Sequence, residues 1–209
     1  MNGIVRIDLD SRIMGPLMLL IGLIPVVGGI GVLVVGSPVV PVAGGIIAFV
    51  FGGLIALVGL GGIVGLRTLL VDVPGNAIHL RQGRSVVTVP LDELAVPTIT
   101  TYHRPRVGAW FKLATPSFPD VVLVDHYKRA HSEKLAARLA SLRAQALLRR
   151  VLATAPLEDA GPFRASPELQ GLLAQAVPDE SLRSAALAAL ASDHDSAIAQ
   201  RAASLTGSM

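Results

Sequence analysis

Residues 13–66 read IMGPLMLLIGLIPVVGGIGVLVV (13–35), GSPVVP (36–41) and VAGGIIAFVFGGLIALVGLGGIVGL (42–66). These 54 residues, flanked by Arg12 and Arg67, contain no Asp, Glu, Lys, Arg or His. A helix needs about 20 mostly apolar residues to cross roughly 30 Å of bilayer hydrocarbon, so the run is long enough for two crossings. Ser37 carries its only hydroxyl, and Pro38 and Pro41 stand close by. Proline removes a backbone donor and clashes with the preceding turn. Residues 36–41 are therefore expected to turn, giving a hairpin of two helices, 13–35 and 42–66. Pro16 and Pro25 fall inside the first helix, where neighbouring groups in a membrane can satisfy the freed carbonyls. The apolar core of a cleaved signal spans only about 7–15 residues. The first helix is longer and a second follows at once, so it is expected to be retained.

The glycines of this run are spaced, not scattered. Gly15, Gly22, Gly29 and Gly36 recur every seven residues, and Gly45, Gly52 and Gly59 repeat the interval in the second helix. A seven-residue period keeps one stripe on one face of a left-handed helix pair. Small residues on that stripe let two backbones approach, which is how membrane helices gain contact. The alternative is a composition effect, since membrane helices are Gly-rich in general. Gly59–Gly65 imitates a dinucleotide fingerprint, but Val64 stands where its last glycine belongs, and no strand–turn–helix unit surrounds it. Neither helix carries an ionisable group of the kind that marks ion paths, which argues against a transporter core.

The mean hydropathy of +0.61 comes from this run. Charge elsewhere is uneven: residues 1–150 hold 15 Lys and Arg against 8 acids, whereas 151–209 hold 3 against 7, within a total of +3. Arg6, Arg12 and Arg67 flank the hairpin and the turn has no charge. Basic residues stay on the cytoplasmic side, so both termini are expected there. With no cysteine in the chain, disulfides, thiolate catalysis and Cys-ligated metal sites are excluded.

Outside the hairpin the period changes. Val5, Ile7 and Leu9 alternate with Arg6, Asp8 and Asp10, which suggests an edge strand in segment 1–12, with a cytoplasmic tail as the alternative. Thr68–Val73, Ala77–Arg81 and Ser85–Pro90 are short β-branched runs separated by Pro74-Gly75-Asn76 and Gln82-Gly83-Arg84, a meander pattern. Further strands are expected at Val96–Tyr102, Ala109–Thr115 and Val121–Asp125. Ser132 is expected to cap a helix reaching Leu152, with Leu135, Leu139, Leu142 and Ala146 on one stripe.

Leu69-Leu70-Val71-Asp72, Ile78-His79-Leu80-Arg81-Gln82-Gly83-Arg84 and Val89-Pro90-Leu91-Asp92-Glu93-Leu94, placed after two membrane helices and before an amphipathic helix, resemble bacterial membrane-anchored PH-like domains. The resemblance covers about residues 67–150. It implies a bent antiparallel sheet or partly open barrel plugged by the helix. Members that bind inositol phosphates use basic residues around the first strand loop; Pro74-Gly75-Asn76 has none.

The fold class expected is thus an α+β membrane protein: an N-terminal segment 1–12, a transmembrane hairpin 13–66, a PH-like β domain with its closing helix 67–152, and a C-terminal tail 153–209. In that tail Ser166 precedes Pro167, a cap with proline at the first helical position. Short helices are expected at Pro167–Ala176, Asp179–Ala191 and Ser196–Leu205, either as a docking module or as a partly disordered tail.

Catalytic signals are thin. His79, His103, His126, His131 and His194 are dispersed, and the five-residue step from His126 to His131 does not fit one helical face. No catalytic, cofactor or metal residues are proposed. The helix after the strands carries Lys128, Arg129, Lys134, Arg138, Arg143, Arg149 and Arg150 against Glu133 alone. Those cations are expected to contact anionic lipid headgroups or be neutralised by the acidic tail; nucleic acid is disfavoured for want of interleaved aromatics.

Three functional readings remain open. One is a non-enzymatic membrane-anchored module in the bacterial inner membrane, serving a protein partner, a second copy or the lipid surface. A second is an accessory subunit of a larger membrane complex, packed through its Gly-rich helices. The third is an enzyme whose site leaves no sequence signature. On the topology, Ser37→Cys should react with an impermeant thiol reagent added to intact cells. Reaction only after lysis would place the turn inside.

Overall fold

A computed structural model of the chain describes residues 4–9, 14–35, 42–64, 66–106, 108–154 and 166–206. The turn 36–41, with Gly36 and Ser37, lies outside them. The chain is α+β, with two apolar helices and two antiparallel sheets. Strand β1 (Ile4–Asp8) is followed by helices α1 (Met14–Val35) and α2 (Val42–Val64), then β2 (Arg67–Asp72), β3 (Ala77–Gln82) and β4 (Ser85–Pro90). A second group of strands follows: β5 (Thr98–Arg104), β6 (Gly108–Ala114) and β7 (Val122–His126). Helices α3 (Arg129–Thr154), α4 (Pro167–Ala176), α5 (Glu180–Leu190) and α6 (Ser196–Thr206) complete the chain. One sheet has the order β1-β2-β3-β4 and the other β5-β6-β7.

By contacts the chain divides into two units, residues 8–69 with 80–86, and residues 1–7, 70–79 and 87–209. The first is dominated by the α1–α2 pair. Its helices are 22 and 23 residues long, which at 1.5 Å per residue is about 33 Å each. Both are long and apolar enough to cross a membrane, and little of either is buried by protein. The glycine period has a geometric counterpart. A Cβ added at Gly22 would lie 2.7 Å from the Gly52 carbonyl oxygen, and one at Gly52 would lie 2.6 Å from that of Gly22. Gly29 meets the Gly45 carbonyl oxygen at 2.6 Å in the same way, and Gly45 meets Val32 Cγ1 at 3.0 Å. The partners count in opposite directions, as an antiparallel hairpin requires. Gly59 is also buried, whereas Gly28, Gly31, Gly53 and Gly61 have nothing within 4 Å of an added Cβ. At the base of the hairpin the Leu9 N–H donates to the Arg67 carbonyl (3.1 Å), and the Thr68 hydroxyl donates to the Asp8 carboxylate (3.4 Å).

In the second unit, β5 pairs with β6 from Thr98↔Ala114 to Arg104↔Gly108, and β6 with β7 through Phe111↔His126 and Lys112↔Asp125. Helix α3 packs against all three strands. It starts at Arg129, three residues before the expected cap. Ser132 therefore lies inside the helix, fully buried, with its hydroxyl toward the Phe111 carbonyl at 3.5 Å. The helix also buries more than one stripe. Leu135, Leu139 and Leu142 are joined by Ala144, Leu148 and Leu152, and the latter three share a core with Leu169, Leu173, Leu187, Leu190, Ile198 and Leu205 of α4–α6. Residues 166–206 are thus packed helices whose missing wall is the C-terminal half of α3. Local signals fix their starts: Ser166 accepts from the Leu169 N–H with Pro167 at the first position, and Asp179 accepts from Leu182.

Leucine at Gly22 or Gly52 should disrupt the hairpin, because the colliding atoms are backbone and cannot swing aside. Leucine at Gly28 or Gly53 should be tolerated. Detergent-resistant monodispersity of the four variants checks this, and equal damage in both pairs would remove the packing role.

Candidate functional site

The seven cations at 128–150 separate into two sets. Lys128, just before α3, and Arg129, Lys134 and Arg138 along its first turns are exposed, with Arg129 paired to Glu133 at 2.7 Å. The other three are used by the fold. Arg143 donates to the Asp92 carbonyl (3.4 Å), and Arg150 meets the Asp92 carboxylate at 2.6 Å. Arg149 reaches both the Pro74 carbonyl (3.2 Å) and the Asp193 carboxylate (3.1 Å), with its own side chain only 19% exposed. Through Asp193 an acid of the C-terminal segment pairs with this helix.

Asp92 is the centre of a second arrangement. Asn76, left-handed at φ +50° in the β2–β3 turn, donates its side-chain amide to the Asp92 carboxylate (2.7 Å). It accepts the Asp92 N–H in return (3.0 Å). Asparagine is among the few residues that tolerate that φ. Burial alone would raise the Asp92 carboxyl, but the hydrogen bonds from Asn76 and Arg150 and the Arg150 charge outweigh it, and the net shift is downward. Asp193 follows the same logic: burial opposes ionisation, while the Asp195 N–H and Arg149 favour it and prevail.

The third arrangement is the one that sequence spacing hides. Tyr102↔Trp110 and Lys112↔Asp125 are paired across strands, so these residues share one face of the three-stranded sheet. Arg104 stands 4.1 Å above the Trp110 ring and 5.4 Å from Tyr102, and its guanidinium pairs with Asp125 at 2.7 Å. The Tyr102 hydroxyl donates to the same carboxylate at 2.5 Å. That bond, with desolvation, holds the Tyr102 phenol above its ordinary pKa, against the opposing effect of Arg104. Tyr127 meets Trp110 edge-on at 6.3 Å, stacks with His126 at 4.4 Å and lies under Lys128 at 5.5 Å. His126 in turn stacks with His131 at 4.9 Å, because one is on β7 and the other on α3. The chain has one Trp and two Tyr, and all three are here. The Trp110 indole N–H is buried with no acceptor among the described residues.

Among the described residues no group of three or more His, Asp or Glu is placed to hold a metal ion. An apolar groove of about 190 Å³ lies between α3 (Leu139, Leu147) and the α4–α5 connection (Val177, Leu182), with Arg143 and Asp179 as its charged members. Nothing in it pairs a nucleophile with a base.

The lowered carboxyls make acid stability a readout. A depressed folded pKa contributes stability above the unfolded value, about 3.9 for aspartate, and that contribution is lost as pH falls through and below it. Melting of the detergent-solubilised chain, followed by Trp110 fluorescence, should weaken steeply in that range. Asp92→Asn with Asp193→Asn should flatten the acid limb. At neutral pH Asp92→Ala should cost on the order of 1–3 kcal/mol, the usual penalty for stranding buried hydrogen-bonding groups.

Comparison of this chain with known protein families, with curated proteins and with solved structures returns no match.

Proposed function

We propose that the chain is a non-enzymatic, membrane-anchored interaction module, its helical hairpin set in the inner membrane of a bacterium and its PH-like domain and both termini on the cytoplasmic side. One observation carries this reading: two uncharged helices of bilayer length pack backbone to backbone through glycine and present apolar side chains such as Leu23, Ile24, Phe51 and Leu57 outward. An aqueous surface of that kind would be unstable, whereas hydrocarbon is its natural solvent. Among the described residues, seven strands in sheets of four and three, with a long helix after the last strand, support the PH-like part of the reading. The arrangement differs from a simple anchor followed by a domain, because β1 precedes the hairpin and pairs beside β2.

The rival is an accessory subunit whose glycine stripes pack on another protein's helices. Gly22, Gly29, Gly45 and Gly52 face the partner helix of their own hairpin, which counts against that interface. Alkaline carbonate washing of membranes carrying the full chain tests the anchor: the protein should stay with the bilayer, and release to the soluble fraction would sink the proposal. Native mass spectrometry after mild extraction separates the two readings. A fixed stoichiometric complex with other membrane chains favours the subunit, and the chain alone or self-associated favours the module.

A further inference from the structure

We propose that the face of the β5-β6-β7 sheet bearing Tyr102, Arg104, Trp110 and Lys112, together with Tyr127 and the first turns of α3, is an interfacial contact surface for an anionic bilayer. The inference rests on the anchored-module reading and adds the place and chemistry of a second membrane contact. Trp and Tyr concentrate at membrane interfaces because an apolar ring and a polar tip suit the headgroup layer. Register and helix start bring all three of this chain's Trp and Tyr residues together, although they are 25 positions apart at the extremes. Arg104 and Lys128 lie over these rings and Lys112 shares their sheet face, while Arg129 and Lys134 follow on the first turns of α3, five cations against Asp125 and Glu133. Polybasic segments gain about 1 kcal/mol per residue near an anionic leaflet, roughly fivefold in binding.

Two details point to a ligand outside the sheet. The Trp110 N–H is a buried donor without an acceptor among the described residues, and lipid phosphates and ester carbonyls are acceptors. Arg104, which covers the indole, is paired with Asp125, with a side chain 43% exposed. A phosphate can replace that carboxylate as the guanidinium's partner and uncover the ring. Nucleic acid is the competing anion, but base stacking needs free aromatic faces. Here Tyr127 is stacked with His126, and its ring meets Trp110 edge-on. A bilayer is also the anion that the hairpin keeps at high effective concentration.

Trp110 is the only tryptophan, so it reports on this surface alone. The full chain would be reconstituted into vesicles of phosphatidylcholine, alone or mixed with phosphatidylglycerol, with brominated acyl chains as quencher. Matching brominated vesicles would also be added from outside. With anionic lipid the emission should shift to the blue and be quenched, in the chain's own vesicle or the added one. Salt should reverse both effects. Lys128→Gln with Lys134→Gln should weaken binding roughly 25-fold, two cations at the per-residue value above. Emission that ignores lipid charge and quencher in both settings overturns the inference, as does a response to single-stranded RNA without one to vesicles. Flotation keeps the two readings apart. A chain that floats with a silent Trp110 fails only this inference, and one that does not float fails the anchor itself.

Discussion

The chain that leaves β1 must return beside it as β2, and everything between the two strands is uncharged. The backbone bond from Leu9 to Arg67 and the Thr68–Asp8 contact close that base. Within the hairpin, closure is possible because glycine carbonyls of one helix sit where side chains of the other would otherwise stand. Such packing is short-range dispersion and weak C–H···O contact, small for each pair and summed along the helices. The helix pair and the first sheet thus share one condition, a hairpin with its ends together.

Much of this is legible in the sequence. Two apolar runs and a proline-flanked turn predict 13–35 and 42–66, and the helices are 14–35 and 42–64. Strand β4 and helix α4 fall on the expected residues, since Gln82-Gly83-Arg84 and Ser166-Pro167 are local punctuation with a local cause. Strands β5 to β7 shift by one or two residues because their ends are set by pairing and by Pro105, Pro116 and Pro119, not by composition. Ser132 misled: a capping-type residue at the start of a leucine stripe reads as a cap, yet the helix begins a turn earlier and the hydroxyl bonds across to β6.

What stayed hidden is non-local. Seven cations in the segment 128–150 look like one surface, but Arg143, Arg149 and Arg150 are drawn to Asp92, Pro74 and Asp193, up to 75 residues away. Helical spacing separates His126 from His131, whereas a strand end and a helix start bring their rings together. The aromatic surface depends on the Tyr102↔Trp110 register, which no window of neighbouring residues contains. The leucine spacing of α3 shows one stripe, and a second emerges only where α4–α6 supply something to bury it against.

The insertion of the hairpin between β1 and β2 has a kinetic side. During synthesis β1 emerges first, and its partner follows only after both helices. Closing a flexible loop of that length costs roughly 3–4 kcal/mol in chain entropy by logarithmic scaling. A hairpin already zipped through Gly22–Gly52 and Gly29–Gly45 shortens the effective loop to the few residues outside the helices. Hairpin formation thereby acts as a template for the sheet: the first strand waits as an open edge, and the paired helices deliver its neighbour.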